Sequence, residues 1–406
     1  MQFNFFKNTF LIVLLPLLSC GIPKSSKKQT VVAKVLSIEN DSIITGAQQT
    51  EVLLPLLENK NIALVGNPTS ILFNKKEKKI HLVDSLLSLQ INLIKVFAPE
   101  HGFRGNADAG EVVKDGKDIK TGLPIISLYG NNKKPTKEQL HGIDLLIFDI
   151  QDVGARFYTY ISTLHYIMEA CAENNIQVLV LDRPNPNGHY VDGPILKKEF
   201  KSFVGMHPIP VVHGMTIGEY AQMINGEKWL KNETQCDLKI IPLKNYDHTK
   251  PYSLPVKPSP NLPNDLSINL YPSLCFFEGT PVSVGRGTDQ QFQIYGAPYF
   301  PKSDFQFTPT PKPGAKHPKF EGKLCYGENL ESRGKLNYLN LEWLIKAYNL
   351  SIDKSTFFNP FFKKLAGTEQ LQKQIKAGKS AEEIRASWQN GLEEFKLIRN
   401  KYLLYP

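Results

Sequence analysis

Residues 143–182 read IDLLIFDIQDVGARFYTYISTLHYIMEACAENNIQVLVLD, and this stretch decides the fold class. It begins with IDLLIFDI (143–150) and ends with IQVLVLD (176–182), two short, almost continuously apolar runs that are typical of strands buried on both faces. Between them, FYTYISTLHYIMEACAENN (157–175) carries apolar residues at helical spacing. A strand, a helix and a second strand in this order predict one βαβ unit of a parallel sheet.

The same alternation continues on both sides of this unit. Upstream, strands are predicted at NIALVG (61–66) and INLIKVF (91–97), with a helix at HLVDSLLSLQ (81–90) between them. Downstream, the apolar run IPVV (209–212) predicts a strand and MTIGEYAQMIN (215–225) predicts a helix. Strands that alternate with amphipathic helices predict an α/β fold with a doubly wound parallel sheet.

The length and the texture of the chain predict two domains. We place a Rossmann-like parallel sheet domain at 45–265 and a second, smaller α/β domain at 266–406, with PSPNLP (258–263) as the crossing between them. The second domain contains two helical patterns, at 339–349 and 380–403. Because ligands commonly bind at domain junctions, a site between the two domains is expected.

The N-terminus predicts export and a lipid anchor. Residues 1–19 form a signal peptide with an apolar run, and the LLSC ending resembles the bacterial lipobox, which implies cleavage before Cys20 and a lipid on its thiol. An uncleaved membrane anchor and ordinary secretion are the alternatives. Residues 20–44 are rich in Lys, Ser, Gln and Thr, which is typical of a flexible tether. We therefore expect a cell-envelope protein that is lipid-anchored to a membrane and faces the periplasm.

Charge and motif content argue against several classes of function. The net charge is +9, but the lysines lie in short scattered groups such as KKEKK (75–79), so no nucleic-acid partner is expected. The turn VGNPTS (65–70) lacks the three-glycine dinucleotide fingerprint, and the chain has no GxxxxGK[ST] motif, so no nucleotide cofactor is predicted. Beyond Cys20, the cysteines have no CxxC spacing, which indicates free thiols and no zinc cluster: Cys171, Cys236, Cys275 and Cys325.

Polar loops follow the predicted strands. FAPEHGFRG comes directly after the strand at 91–97 and contains Glu100, His101 and Arg104. A carboxylic acid between apolar neighbours has a raised pKa and can give a proton to a leaving oxygen, whereas an ion pair of Glu100 with Arg104 is the structural alternative. Because ligands bind at the carboxyl ends of parallel strands, we expect these loops to meet in one cleft.

The loop DIQDVGARFYTY provides a second cluster of candidates. Asp149 and Asp152 flank a strand end, although an Asp in front of a helix is often an N-cap. Arg156 has a guanidinium that can bind a carboxylate or phosphate through two parallel hydrogen bonds. Tyr158 and Tyr160 lead into the helix, where they serve either the cleft or helix packing.

Later loops add further candidates for binding a polar ligand. LDRPNPNG offers Asp182 and Asn185, and HGMT offers His213, for which a structural role is the usual outcome. Turn chemistry alone explains the Gly and Asp residues of GRGTD. The crossing segment PSPNLP contributes Asn261, and the loops FFEGT and GRGTD of the second domain contribute Glu278, Arg286 and Asp289.

Taken in order, these motifs resemble the exo-β-N-acetylmuramidases of the NamZ type, a family long catalogued as a domain of unknown function. The matching motifs are FAPEHGFRG, DIQDVGARFYTY, LDRPNPNG, HGMTIGEY, PSPNLP and FFEGTPVSVGRGTDQQFQIYGAP, and the resemblance covers about 45–406. It implies a Rossmann-like domain, a smaller C-terminal domain and a site between them. The implied activity is a glycoside hydrolase that releases N-acetylmuramic acid from the non-reducing end of peptidoglycan fragments during cell-wall turnover and recycling. The chain has GTPVSVGRG where the family has the more acidic GTNVSEGRG, so Val284 marks a sugar contact that could differ.

The resemblance also implies catalytic roles. The PEHG motif assigns the catalytic acid to Glu100, and the RFYTY segment implicates a tyrosine, for which we choose Tyr158 over Tyr160. Glu100 would protonate the leaving oxygen, while Asp149, Asp152 or Tyr158 stabilises the oxocarbenium-like centre. No metal and no cofactor is required.

Substrate binding is assigned to the remaining candidates. Arg156 or Arg286 would bind the lactyl carboxylate of muramic acid. The others are His101, Arg104, Asp182, Asn185, His213, Asn261, Glu278 and Asp289. The expected partners are muramyl saccharides from peptidoglycan and, through Cys20, a membrane, whereas the sequence does not indicate an oligomeric state.

Two other classes of protein stay open. A non-catalytic lipoprotein that binds cell-wall glycan would keep the arginines and aromatics without needing the turn at Glu100 and His101, and product release from a chromogenic muramide tests it. A metal-dependent hydrolase could use His101, Asp149, Asp152 and His213, although these lack the short ligand spacing of known sites. Chelator treatment tests that alternative.

Overall fold

A seven-stranded sheet forms the centre of the N-terminal part in the computed structural model, which describes residues 41–74, 76–104 and 115–406. The strands of these residues are β1 (Ile62–Gly66), β2 (Ile71–Phe73), β3 (Lys79–His81), β4 (Leu93–Ala98), β5 (Gly116–Lys117), β6 (Pro124–Ser127), β7 (Leu145–Asp149), β8 (Gln177–Leu181), β9 (Leu238–Ile241), β10 (Ile294–Ala297), β11 (Gln306–Phe307) and β12 (Cys325–Asn329). The α-helices of the same residues are α1 (Thr50–Leu57), α2 (Leu82–Ser88), α3 (Lys137–Leu140), α4 (Tyr160–Glu173), α5 (Ile217–Gly226), α6 (Asp265–Leu274), α7 (Glu342–Leu350), α8 (Pro360–Ala366), α9 (Gln370–Lys376), α10 (Ala381–Ala386) and α11 (Gln389–Arg399).

The order of the strands confirms the predicted doubly wound sheet. The sheet runs β5-β6-β4-β1-β7-β8-β9, and every neighbouring pair is parallel except β5 with β6. The chain builds outward from β1 to β4 and β6, and then returns to add β7, β8 and β9 on the other side of β1. Counted along the chain, the parallel strands have the order 3-2-1-4-5-6, which is the Rossmann order. Ligand sites in such sheets lie at the carboxyl ends of the strands where the order reverses, which here are the ends of β1, β4 and β7.

Helices cover both faces of this sheet, as the continuous apolar strands predict. Along β1, Ala63 and Val65 pack on the face that carries α4 and α5, while Ile62 and Leu64 pack on the face that carries α1 and α2. All residues of β1 and β7 are buried. Burial of apolar side chains on both faces is the main term that stabilises the sheet.

Two predictions of secondary structure were wrong. IPVV (209–212) is not a strand of the sheet, because its only pairings in the described residues are isolated bridges from Val212 to Ala155 and Asp192. The last parallel strand is instead β9, LKII, which the sequence reading passed over. The helix predicted at 380–403 is divided at Ser387 and Trp388 into α10 and α11.

The C-terminal part contains a second, smaller arrangement of strands and helices, as the sequence predicts. Its three-stranded sheet has the order β10-β12-β11 with antiparallel pairing, and α7 to α11 complete it. The described residues from Ser42 to Pro406 pack as one compact unit, so the boundary at 265/266 stays a prediction. The predicted signal peptide (1–19), Cys20 and most of the tether (20–44) lie outside the described residues. Among the helices that are described, none combines the length and apolarity that crossing a bilayer demands.

Candidate active site

A cavity of about 970 Å³ lies beyond the carboxyl ends of β4 and β7, where they meet loops of the C-terminal part. Its N-terminal wall includes Glu100, His101, Tyr129, Tyr158 and Thr159. The opposite, C-terminal wall includes Glu278, Val284, Arg286 and Lys319, with Asn261 of the crossing segment beside them in the lining. A cavity of this size can hold a sugar with part of its leaving group.

Glu100 stands in a sharp turn after β4. Its neighbour His101 has φ 71°, and Gly102 has φ 75°, so two successive residues adopt the left-handed conformation. This conformation is strained for a residue with a Cβ atom and is found mostly where a turn has a functional reason. The Oγ1 of Thr159 donates a hydrogen bond of 2.9 Å to Glu100 Oε2, and the Tyr160 hydroxyl lies 3.4 Å from the Glu100 carbonyl. The turn therefore directs the Glu100 carboxyl group toward the start of α4.

Tyr129 is a cavity residue that the sequence reading missed. It follows β6, whose end pairs with the end of β4, and the Leu128 amide donates to the Ala98 carbonyl at 2.8 Å. Burial, together with the nearby Glu100 carboxylate, raises the pKa of the Tyr129 phenol. The signal for this residue was weak, because β6 begins at Pro124 and is only four residues long.

Tyr158 lines the cavity with its hydroxyl engaged. The hydroxyl donates to the Pro258 carbonyl at 2.7 Å, and the Tyr160 hydroxyl approaches the same carbonyl at 3.5 Å. Burial raises the pKa of Tyr158 well above its ordinary value, with smaller contributions from Tyr160, Tyr271 and nearby carboxylates. Tyr158 is therefore a neutral hydrogen-bond donor in this structure.

The C-terminal wall presents an ion pair. Arg286 Nε donates to Glu278 Oε1 at 3.0 Å, its Nη2 contacts the same oxygen, and the guanidinium lies 5.2 Å from the ring centre of Phe292. Both side chains of the pair are 27% exposed, so the cavity reaches them. Since both bonds to Glu278 use one oxygen and two of the arginine nitrogens, Arg286 retains donor capacity for an anionic ligand.

Lys319 is a second cation in this wall, and the sequence reading also missed it. Its Nζ donates to the carbonyls of Phe277 at 3.2 Å and Val282 at 3.0 Å, and also contacts the Thr280 carbonyl. Burial lowers the pKa of Lys319 to about 8. The surrounding stretch, rich in Pro and Lys, gave no reason to separate this lysine from solvated ones.

Asn261 lies in the crossing segment and lines the cavity. Its Nδ2 donates to the Gly314 carbonyl at 2.7 Å, which fixes the orientation of the amide. Its Oδ1 is buried and has no hydrogen-bond donor among the described residues. Asn261 is therefore held in place with one acceptor unsatisfied, which is a costly arrangement for a buried group.

Sequence comparison identifies the relatives of this chain. The family described as "Exo-beta-N-acetylmuramidase NamZ, N-terminal" matches residues 62–266, and its C-terminal counterpart matches residues 269–405. The chain belongs to this family.

Individual NamZ relatives agree with the family match. Peptidoglycan beta-N-acetylmuramidase NamZ from Bacillus subtilis (strain 168) is 40% identical over 377 residues, which are 86% of this chain and 88% of that protein. The chain is also similar to two crystal structures of DUF1343 family proteins from Bacteroides fragilis, each covering 90% of this chain and 99% of its own. One is 49% identical with a TM-score of 0.82, and the other is 28% identical with a TM-score of 0.77. The resemblance drawn from the motifs is thereby confirmed.

Several candidates of the NamZ motifs lie outside the cavity lining, because the sheet buries them. Asp149, at the end of β7, is fully buried and accepts hydrogen bonds from Arg183 at 2.6 and 2.9 Å. Asp182 accepts from the Thr216 and Tyr405 hydroxyls at 2.8 and 2.6 Å, next to the start of α5. Both carboxylates thus hold loops in place below the cavity.

A buried pair of titratable groups lies beside them. Asp152 Oδ2 accepts from the Gly154 amide at 2.7 Å and lies 3.8 Å from His213 Nε2. Burial raises the pKa of Asp152 to about 7 and lowers the pKa of His213 to about 3. Asn185, also buried, donates to the Met215 carbonyl at 2.9 Å. The cavity lining does not include these three residues, which instead support the loops: Asp152, Asn185 and His213.

Arg156 is not at the cavity either, contrary to what its position in the NamZ motif suggested. Its side chain is fully buried, and it donates to four backbone carbonyls. They belong to Pro194 and Ile209, both at 2.7 Å, and to Leu365 at 2.9 Å and Ala366 at 2.8 Å. Burial lowers the pKa of Arg156 to about 9. This guanidinium joins the sheet part to α8.

The last two candidates lie on the surface side of their loops. Arg104 binds Asp118 through two hydrogen bonds of 3.2 and 2.7 Å and also contacts Asp84 at 3.3 Å. Arg104 therefore forms ion pairs with these two aspartates, and these ion pairs can hold the C-terminal end of the FAPEHGFRG loop. The Asp289 side chain is 89% exposed and pairs with Lys312.

The described residues contain neither a cluster of metal-ligand side chains nor a disulfide bond. Over residues 41–74, 76–104 and 115–406, no group of three or more His, Cys, Asp or Glu side chains is arranged to hold a metal ion. The cysteines of these ranges are buried and free: Cys171, Cys236, Cys275 and Cys325.

Proposed function

We propose that this chain is an exo-β-N-acetylmuramidase that releases N-acetylmuramic acid from the non-reducing end of peptidoglycan fragments. Membership of the NamZ family and 40% identity to a named peptidoglycan muramidase support the activity. The observation that best supports this chemistry is the position of Glu100. Its carboxyl group follows a strained turn and lines the 970 Å³ cavity. A glycoside hydrolase needs such a group to protonate the leaving oxygen.

The cavity also offers recognition for the acidic sugar. N-acetylmuramic acid carries a lactyl carboxylate, which N-acetylglucosamine lacks. Arg286 lines the cavity and can share its remaining donors with that carboxylate, while Lys319 adds positive charge to the same wall. Charge-assisted hydrogen bonds of this kind are stronger than neutral ones and favour the muramic substrate.

Of the groups that the family resemblance offers as partners for Glu100, Tyr158 lines the cavity, whereas Asp149 and Asp152 do not. A neutral Tyr158 that donates to the Pro258 carbonyl suits a role in holding the floor of the site. To act as a nucleophile it must first leave that carbonyl and lose its proton, which its raised pKa opposes.

Replacing the acid tests this assignment. We expect Glu100→Gln to keep the fold and lower kcat on an unactivated muramyl glycan by roughly 10²- to 10⁴-fold, the usual size of a general-acid contribution. Release of N-acetylmuramic acid by the wild-type protein is the reference measurement, and it also separates an enzyme from a glycan-binding protein. Near-normal turnover by Glu100→Gln places the acid elsewhere, and absence of product from the wild type rejects the activity.

We also propose that the chain is a lipoprotein of the cell envelope, anchored through Cys20 and facing the periplasm. The LLSC sequence and the following tether, rich in Lys and Ser, support this location. An extracytoplasmic position gives the enzyme direct access to peptidoglycan fragments.

A further inference from the structure

Thr159, which lies between Tyr158 and Tyr160, has an unusual hydrogen bond for its position. Thr159 directly precedes α4, where a threonine side chain ordinarily accepts a hydrogen bond from an amide of the first turn. Here the Thr159 side chain makes no capping bond. Its hydroxyl instead donates to Glu100 Oε2 at 2.9 Å, and Thr159 lines the same cavity as Glu100. The hydroxyl is therefore committed to the acid rather than to the helix.

The neighbours of Thr159 hold it in place. Its carbonyl accepts hydrogen bonds of 3.0 Å from the amides of Ser162 and Thr163, so its backbone belongs to the first turn of α4. On either side, the hydroxyls of Tyr158 and Tyr160 contact the Pro258 carbonyl. A donor whose own position is held by the residues on both sides of it can also hold the group that accepts its hydrogen bond.

We propose that Thr159 is the positioning residue of the catalytic acid, and that its hydrogen bond to Oε2 holds the Glu100 carboxyl group in the orientation that proton transfer requires. The proposal rests on the proposed function, in which Glu100 protonates the leaving oxygen. During that step the O–H bond of the Glu100 carboxyl group breaks and the leaving oxygen gains the proton. The electron pair of the glycosidic C–O bond goes to that oxygen. Water then completes hydrolysis, and its extra proton restores Glu100.

The hydrogen bond from Thr159 contributes more as the reaction proceeds. Glu100 becomes a carboxylate when it gives up its proton, and a hydroxyl donates more strongly to a charged oxygen than to a neutral acid. An interaction that strengthens toward the transition state raises kcat and leaves substrate binding almost unchanged.

The test compares three variants, of which two lose a hydroxyl and one keeps it. Thr159→Val keeps the shape of the side chain and removes the donor, while Thr159→Ser keeps the donor. Thr163→Val is the matched control, since Thr163 lies one turn along the same helix and its hydroxyl, among the described residues, donates to the Thr159 carbonyl at 3.4 Å. The kcat and KM of each protein are measured on a muramyl disaccharide, with its melting temperature measured in parallel.

We expect Thr159→Val to lower kcat roughly 10-fold with KM changed less than about twofold. Thr159→Ser should restore kcat, because it keeps the hydroxyl donor, and Thr163→Val should leave kcat and KM unchanged.

The outcomes separate this proposal from the function on which it depends. An unchanged kcat in Thr159→Val, a loss that falls mainly on KM, or a loss that Thr159→Ser does not restore rejects the positioning role even when Glu100→Gln is inactive. A wild-type protein that is active while Glu100→Gln retains turnover rejects the assignment of the acid itself.

Discussion

At the scale of single residues, three arginines that the sequence offered as candidates for substrate binding occupy three different environments. Arg286 borders the cavity, Arg104 pairs with Asp118 behind the PEHG loop, and Arg156 is buried among backbone carbonyls. The guanidinium is the same in each case, so its neighbours decide between ligand binding, loop support and internal bonding.

The first prediction concerns discrimination between two sugars. Arg286→Met should lower kcat/KM on an aryl muramide roughly 10- to 100-fold more than on the matching aryl N-acetylglucosaminide, because it removes a charge-assisted bond to the lactyl carboxylate. Arg104→Met is the control, and its effect should be the same on both glycosides because Arg104 binds Asp118 and Asp84. Equal losses on both substrates for Arg286→Met mean that the carboxylate is recognised elsewhere.

The second prediction concerns stability and pH. Because burial raises the pKa of Asp152 from 3.8 to about 7, the folded protein binds a proton that the unfolded chain releases between these two values. The free energy of unfolding therefore contains a penalty that grows as pH rises from about 4 to 7 and is complete above 7. Asp152→Asn can still accept from the Gly154 amide and does not ionise.

Urea unfolding at several pH values measures this penalty. Asp152→Asn should match the wild type near pH 4 and exceed its free energy of unfolding by a few kcal/mol at pH 8. A difference that is constant over this range contradicts the elevated pKa. Activity of the variant adds information, since loss of turnover without loss of stability gives Asp152 a catalytic role.

At the scale of elements, the sequence predicted long periodic segments well and short ones poorly. β1, β4, β7, β8 and the helix α4 were recognisable because burial on both faces requires continuous apolar strands. β9 was missed because only one of its four residues is fully buried, and β6 because it starts with a proline.

The candidate site follows the same physical division. Glu100 could be predicted because its motif follows the end of a strand. Arg286 could be predicted because its motif forms a turn near the domain junction. Asp149 and Asp182 could not be separated from them, since a carboxylate after a strand can turn either into the cavity or back against the sheet. That choice depends on distant partners such as Arg183 and Tyr405, which spacing along the chain does not reveal.

The third prediction concerns the contact between the sheet part and α8. Arg156→Met removes the donors of four buried carbonyls, so we expect the free energy of unfolding to fall by roughly 3–5 kcal/mol. Arg333→Met is the control, because Arg333 is 54% exposed and pairs only at the surface with Glu328. The control should change stability by less than about 0.5 kcal/mol. A variant at 156 that is as stable as the control shows that α8 is held by packing alone.

At the scale of the whole molecule, two parts of the chain account for different properties. Residues 42–406 account for the chemistry, and the preceding residues account for the expected location. The body, from Ser42 to Pro406, is a compact unit that carries the cavity. The preceding residues carry the lipobox-like LLSC sequence and a polar, lysine-containing stretch. Location and chemistry are therefore expected to be separable by mutation.

The fourth prediction tests this separation. Cys20→Ser should abolish incorporation of a radioactive fatty acid and leave an unprocessed precursor, because the lipidated thiol is missing. Its body should still fold and release N-acetylmuramic acid at the wild-type rate in detergent extracts. Labelling equal to that of the wild type refutes the lipobox assignment.

The bonds of Arg156, Tyr158 and Tyr160 also have a mechanical consequence. Arg156 donates to Leu365 and Ala366 of the C-terminal part, and the two tyrosines contact Pro258 of the crossing segment. A hinge between the two parts would have to break several of these buried bonds at once. We therefore expect the cavity to keep nearly the same shape when the sugar binds. The fit of a glycan fragment to this shape, rather than the motion of one wall, would then limit which fragments reach the acid.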